Sequence, residues 1–300
     1  MTKALRIRHG SFGRVAVLEM DRRLVVHAHP HAHLLFKVAG VDSLFGLHDR
    51  RLPLGAEWAV AVNPWEPHWY PKAPGSEPTL ILALHLDPSW LAARLDGLRG
   101  PQCFPCHGVR VGPRLRTLVS TLNAEMIYGE GEDRAFVEEL LVTLADRMRQ
   151  APVATSERKS ECFARVDPLD RRIRRSIELM QSRIGERLGF EALARSVGLS
   201  RQHFFDLFRR STALTPSVFW NMLRMEQAVG ELGSGLRPIQ DIAADLGFSA
   251  QSNFTRFFRD HQGVSPRAYR NAVVTVDEPK SPGAGRGSGL GARPHLGGAY

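Results

Sequence analysis

The stretch Ile239-Gln-Asp-Ile-Ala-Ala-Asp-Leu-Gly-Phe-Ser249 decides the reading of the C-terminal third, because Phe190-Glu-Ala-Leu-Ala-Arg-Ser-Val-Gly-Leu-Ser200 has the same pattern. Ala194, Gly198 and Ser200 return 49 residues later as Ala243, Gly247 and Ser249. Phe208, Arg209, Pro216 and Phe219 return 50 residues later as Phe258, Arg259, Pro266 and Tyr269, so one residue is inserted between the two blocks. Each copy has the composition of a helix-turn-helix. The alanine lets a second helix cross closely, and the glycine ends the first helix in a left-handed conformation that a β-carbon disfavours. The serine is expected to cap the next helix. Phe204 with Phe208, and Phe254 with Phe258, pin each second helix to a core at i, i+4 spacing. A lone copy is equally compatible with any helical pair; two aligned copies in a basic region point to DNA.

Upstream, Asp167-Pro168 carries an N-cap and a first-turn proline. Leu169, Ile173, Ile177, Met180 and Ile184 form an apolar stripe, with Arg171, Arg172, Arg174 and Arg175 largely off it. The chain from about residue 169 to 270 resembles the DNA-binding domain of the AraC/XylS family of bacterial regulators. The residues that carry this are Ile242-Ala-Ala-Asp-Leu-Gly-Phe-Ser249, Phe254-Thr-Arg-Phe-Phe258, Gly263-Val-Ser-Pro266 and Tyr269-Arg270, with Arg224-Met-Glu-Gln-Ala228 matching the linking helix. The resemblance implies recognition helices at 201–210 and 250–259, joined by a helix at 216–231. They would enter consecutive major-groove segments of double-stranded DNA. The expected outward residues are Arg201, Gln202, Phe205 and Asp206 in the first, and Gln251, Ser252, Thr255 and Arg256 in the second. Arg256 suits a guanine edge and Gln251 an adenine. His203, Asn253, Arg209, Arg210 and Arg259 fit phosphates, which position without specifying. Asp206 and Phe205 depart from the family pattern, so the second unit is expected to dominate affinity. The family leans towards activation, which would make RNA polymerase a further partner.

Composition agrees. The 300 residues are 43% hydrophobic and 24% charged, with a net charge of +9, carried mostly by arginine. Such a balance suits a polyanion, nucleic acid before an anionic membrane. No export signal and no apolar run of membrane-spanning length is visible, and Cys103, Cys106 and Cys162 are too few for a disulfide framework, so a cytoplasmic protein without membrane attachment is expected.

The N-terminal half reads differently. Apolar runs at 15–18, 24–26, 33–38, 58–62 and 80–86, separated by turn residues, predict a small barrel or sandwich. Leu115, Leu118, Leu122 and Met126, then Phe136, Leu140, Leu144 and Met148, predict an α-hairpin whose stripes either pack on the barrel or form a homodimer seam. The fold class is therefore α+β: a β-barrel, cupin-like by the resemblance described next, plus helical hairpin over 1–150, a linker at 151–166, an all-α double helix-turn-helix domain over 167–275, and a disordered Gly/Pro-rich tail at 276–300.

His27-Ala-His-Pro-His-Ala-His33, followed by Asn63-Pro-Trp-Glu-Pro-His68, resembles the cupin sensor barrels of such regulators. His31, His33 and His68 match the three histidines of metal-binding cupins, while Lys37 or Val38 stands where their acidic ligand is expected. Two readings stay open: a transition-metal site at His31, His33 and His68, or an organic effector pocket formed by His31, His33, Phe36, Trp58, Asn63, Trp65, His68 and Tyr70. Cys103-Phe-Pro-Cys106-His107 spells a haem-attachment pattern, read here as chance, with a thiol switch as the alternative. No acid, base or nucleophile constellation accompanies the histidines, so a regulator and not an enzyme is expected. The competing functions are a cupin metal-binding enzyme or metal sensor fused to a DNA-binding domain, and an architectural DNA binder.

Overall fold

The computed structural model describes residues 2–73, 75–98, 102–129, 134–150, 170–186, 188–235 and 237–274. The expected linker and tail lie wholly outside these residues, as do Asp167, Pro168 and Leu169 and, within the linker, Cys162.

Two sheets make the N-terminal barrel. The larger runs β10-β7-β4-β9-β2-β1-β11 and the smaller β3-β8-β5-β6. Their strands are β1 (Lys3–Gly10), β2 (Gly13–Met20), β3 (Leu24–His27), β4 (Ala32–Gly40), β5 (Ser43–Leu47), β6 (Arg50–Leu54), β7 (Trp58–Val62), β8 (His68–Tyr70), β9 (Thr79–Leu86), β10 (Gly108–Arg110) and β11 (Val273–Val274). The period-2 alternation of a strand sorts β4 and its neighbours between two cores. Ala32, Leu34, Phe36, Ala59, Ala61, Leu82 and Leu84 face outward to helices. Leu35, Val60, Val62, Ile81 and Ala83 face the smaller sheet, meeting Phe45, Leu47, Leu52, Leu54 and Tyr70. A short helix α1 (Pro88–Ala92), capped by the Asp87 side chain, follows β9.

The helices on that outer face are α2 (Pro113–Tyr128) and α3 (Arg134–Gln150). Leu115, Leu122, Met126, Leu140, Leu144 and Met148 are buried in the same core as the sheet, so the apolar stripes are used within their own subunit; Leu118 is partly buried and Phe136 exposed. The buried Arg8 of β1 closes the end of α2, donating to the carbonyls of Glu125 (2.8 Å) and Gly129 (2.9 Å) and pairing with the Glu125 carboxylate at 3.2 Å. A cation at a helix C-terminus satisfies carbonyls that have no partner within the helix.

The C-terminal part comprises α4 (Arg171–Ser182), α5 (Phe190–Ser196), α6 (Arg201–Thr212), α7 (Pro216–Ser234), α8 (Ile239–Asp245), α9 (Gln251–Gln262) and α10 (Pro266–Ala272). α4 is capped by Asp170, which accepts from Arg172 N, three residues beyond the cap expected at Asp167. The linking helix α7 runs a few residues past the expected end at 231, to a left-handed Gly235. Gly198 (φ +74°) and Gly247 (φ +75°) are both left-handed, and a Cβ on Gly247 would lie 2.7 Å from the Gly185 carbonyl oxygen. Ala194 and Ala243 are fully buried at their helix crossings. Ser200 caps α6 by accepting from His203 N. Ser249 does not cap α9. Ala250 occupies the cap position there without a side-chain bond, and Ser249 instead accepts from Asn253 Nδ2 at 3.1 Å. The extra residue between the two blocks falls at this junction and moves the serine out of register.

Barrel and helices share cores. Ile7 and Ala16 of the barrel join Phe254, Phe258 and Tyr269 of the second unit. Ala28 joins Phe204, Phe208 and Phe219 of the first, and Trp65 stacks on Phe219 with centroids 5.6 Å apart and planes at 11°. β11, immediately after α10, pairs in parallel with β1, Ile7 opposite Val273.

Candidate nucleic-acid interface and sensor site

Each recognition helix buries two phenylalanines and turns its remaining face outward. On α6, Arg201, Gln202, His203, Asp206, Arg209 and Arg210 are exposed; on α9, Gln251, Ser252, Asn253 and Arg256 are exposed, with Thr255 and Arg259 half-buried. Phe205 is the exception in the expected set. It is half-buried, packs edge-on against Phe190 (5.7 Å) and Phe204 (6.0 Å), and carries the Arg201 guanidinium over its ring at 5.3 Å. Its role here is to support Arg201 by a cation–π contact. Arg224, quoted above only as part of the linking helix, holds α7 to the second unit. It donates to the Leu246 carbonyl at 2.8 Å and lies 3.7 Å over the Phe248 ring.

The eight residues expected to form an effector pocket do not converge. His33, His68 and Tyr70 are buried inside the barrel end, where the Tyr70 hydroxyl has no partner. Phe36 faces the helical hairpin. Trp58 is half-buried beneath the Arg110 guanidinium. Asn63 is a structural clamp: its amide donates to the Phe104 carbonyl and accepts from Phe104 N at 2.8 Å. Trp65 lies at the seam on Phe219. His31 leaves the barrel and meets Glu226 of α7 at 3.6 Å.

Two histidines outside the expected metal set, His29 and His85, lie beside His33, where His31 and His68 were expected. His29 and His85 bring one ring nitrogen each within 4.8 Å of one on His33. His33 and His85 are register partners across β4 and β9, with rings stacked at 4.0 Å. His29 approaches the His68 ring at 4.8 Å, and His27 approaches it at 4.3 Å. Desolvation by burial pushes His27, His29, His33 and His85 well below the usual imidazole range, and His68 down to about 4. The rings are therefore neutral near pH 7.

Cys103 and Cys106 are buried thiols in the core under α2 and α3, and burial raises Cys103 to about 11. Cys103 is thus held as an unreactive thiol. His107 Nδ1 lies 3.0 Å from the Ala61 carbonyl oxygen.

A polar relay crosses the seam. Arg14 donates to the Tyr269 hydroxyl at 3.2 Å, and that hydroxyl lies 3.0 Å from His9 Nε2. With Arg14 donating, the tyrosine proton points to a neutral His9. Burial first, then the charges of Arg14 and His31, lower His9 from 6.5 to about 4. As pH falls below 6.5 the unfolded chain takes a proton that folded His9 refuses, so this contribution is complete above pH 6.5 and is lost towards pH 4. At ~1.4 kcal/mol per pKa unit the loss is at most about 3.5 kcal/mol. His9→Gln should make that limb of the stability profile shallower in urea melts between pH 7 and 4.5, the rest of it coming from the other buried histidines; an unchanged profile would remove His9 from the account.

These two exposed, repeated helix-turn-helix faces on a shared helical scaffold define a DNA-binding protein. Comparison with known proteins agrees: a family model described as a helix-turn-helix domain matches residues 193–272. The regulatory protein SoxS of Salmonella typhimurium is 33% identical over 97 residues, which are 32% of this chain and 91% of that protein. The probable transcriptional regulator LumQ of Photobacterium leiognathi is 20% identical over 251 residues, 84% of this chain and 94% of its own length. The whole architecture is similar to the crystal structure of an apo variant of ToxT from Vibrio cholerae, with a TM-score of 0.54 at 13% identity, covering 90% of this chain and all of that one. The chain belongs to the AraC/XylS family and is a DNA-binding transcription regulator. Its relatives are regulators, and none supports the enzyme alternative. Among the described residues no helix is long and apolar enough to cross a membrane.

Proposed function

We propose that this chain is an effector-responsive, sequence-specific activator that reads two consecutive major-groove segments per monomer from the bacterial cytoplasm. The observation that carries this is the pairing of an open polar face on each recognition helix with a buried face continuous with the barrel. Contacts by Arg201, Gln202 and Asp206 from α6, and by Gln251, Ser252, Thr255 and Arg256 from α9, would read bases. His203, Arg209, Arg210, Asn253 and Arg259 would hold phosphates. Because Phe205 supports Arg201 and Asp206 repels phosphate, α9 supplies the larger share of affinity. A signal bound in the barrel reaches both units through Ala28, Trp65 and Ile7, which belong to their cores. A second copy would meet the outer face of the hairpin, where Tyr128 and Phe136 are exposed. RNA polymerase is the partner that activation requires.

Selection of bound DNA from a random pool, with and without candidate effectors, tests the reading. The expected site has two blocks about one helical turn (roughly 34 Å) apart. Retention that is independent of sequence and sensitive only to salt would instead make the chain an architectural binder.

A further inference from the structure

We propose that His29, His33 and His85, completed by His68, form a transition-metal site for Zn²⁺ or a similar borderline ion at the barrel end facing the DNA-binding domain. The spacing is suitable. His29 Nε2 lies 3.3 Å from His33 Nδ1. Ligand nitrogens at 2.0–2.1 Å from a tetrahedral Zn²⁺ stand about 3.4 Å apart. One nitrogen from each of the three rings already falls within 4.8 Å of the other two, so small rotations would close those three; His68 stands beside them, its ring centroid 4.8 Å from that of His29 and 5.5 Å from that of His33.

A second observation points to a ligand independently. His33 Nε2, His68 Nε2 and His85 Nδ1 are all buried without a hydrogen-bond partner. Each is costly to leave desolvated unless something binds it; on His33 it is the other nitrogen, Nδ1, that faces His29, so a turn of that ring selects which of its two nitrogens meets the ion. The remaining nitrogens are held as metal-binding imidazoles usually are. His29 Nδ1 sits 3.0 Å from the His31 carbonyl and His68 Nδ1 sits 2.8 Å from the Glu66 carbonyl, which leaves both Nε2 atoms as acceptors. Burial keeps the rings neutral, the form that coordinates. Arg14 faces the same end and opposes a dication, but its guanidinium is engaged with Tyr269. The fully buried Glu66 carboxylate, next to His68, offsets it.

The site is placed to act on DNA binding. His27, against His68, also approaches His261 of α9 with ring centroids 6.4 Å apart. Ala28 lies in the core of the first unit, and His31 meets Glu226 of the linking helix. Drawing His29 onto an ion therefore pulls on a segment that touches both units. This consequence rests on the effector-responsive reading above and makes the ion itself the effector; the site does not depend on it.

The test uses untagged full-length chain, stripped with a chelator and titrated with Co²⁺ by visible absorption and with Zn²⁺ by calorimetry. One ion per chain is expected, with absorption typical of tetrahedral Co²⁺. His29→Ala and His85→Ala should weaken binding by at least about 100-fold, the upper range even for outer-shell losses. His31→Ala should keep it within about threefold. Since a buried histidine can be needed for folding, circular dichroism checks each variant. A rise in the melting temperature of the wild-type chain and of His31→Ala on adding Zn²⁺ gives a readout that needs no core substitution. Failure of the wild-type chain to bind one ion, or loss of binding in His31→Ala but not in His85→Ala, overturns the site. Sequence-specific DNA binding measured alongside separates the two readings: if it persists while no ion binds, only the metal inference fails.

Discussion

Phe258→Ala should destabilise the chain by about 3–5 kcal/mol, the usual cost of removing a fully enclosed aromatic side chain. Phe258 has no exposed surface; its ring meets Tyr269 edge-on at 5.4 Å and Phe254 at 5.9 Å. Those edge contacts each add ~0.5–1.5 kcal/mol to the area term. The same core includes Ile7 and Ala16 of the barrel, so the cavity would open at the seam between domains and not only under one helix. Urea denaturation should show a lower midpoint with an unchanged slope, and operator binding should fall with it although Phe258 never faces DNA. Phe208→Ala, at the matching place in the first copy and equally enclosed, should behave alike. A loss under ~1 kcal/mol in either variant would mean that the site collapses around the gap, which close packing makes unfavourable.

The second large effect is on recognition. Arg256 is exposed on α9, on the side opposite the buried Phe254 and one turn beyond the exposed Ser252. Arg256→Ala should cost about 1–3 kcal/mol, roughly 5- to 150-fold in Kd, and relax the preference at one base pair of the selected site. Arg259→Ala should instead weaken all sequences together and lower the salt slope by about one. Asp206→Ala removes a carboxylate from a surface that faces phosphates, so general affinity should rise. Quantitative gel shifts over a panel of single-base variants distinguish these outcomes. Intact binding by Arg256→Ala together with its loss in Asp206→Ala would reverse the ranking of the two units.

The helical third was legible because its signals are local. In each copy the left-handed glycine, the crossing alanine and the paired phenylalanines fall in one short, continuous stretch, Ala194 to Phe208 and Ala243 to Phe258, and each holds in the structure. The Ser249 cap failed for an equally local reason, the inserted residue at Ala250. Strands with apolar runs were also visible. β1 was not, since Lys3-Ala-Leu-Arg-Ile-Arg looks solvated until Arg8 is seen to close α2, 117 residues away. β8 and β10, of three residues each, are too short for a period to show, and β5 and β6 are interrupted by Gly46, Arg50, Arg51 and Pro53.

The histidine site shows the limit most clearly. A His-x-His spacing puts two rings on one face only if both residues belong to the strand, but β4 begins at Ala32 and His31 lies in the bend before it. His29 reaches the cluster from outside any strand, and His85 reaches it by cross-strand register with His33. One hint was available: His85 is the polar interruption in the buried run Leu80-Ile-Leu-Ala-Leu-His-Leu86. A polar residue at a core position of a buried strand requires a partner, and sequence does not name it.

The parallel pairing of β11 with β1 also bears on the order of assembly. During synthesis β1 leaves the ribosome more than 260 residues before the strand that covers its outer edge. Until then the nascent barrel has an open edge, the kind of template on which chains aggregate. Lys3 and Arg6 on that strand supply charge that discourages pairing with a neighbouring chain. The cations that obscured β1 as a strand thus guard it while it waits for its partner.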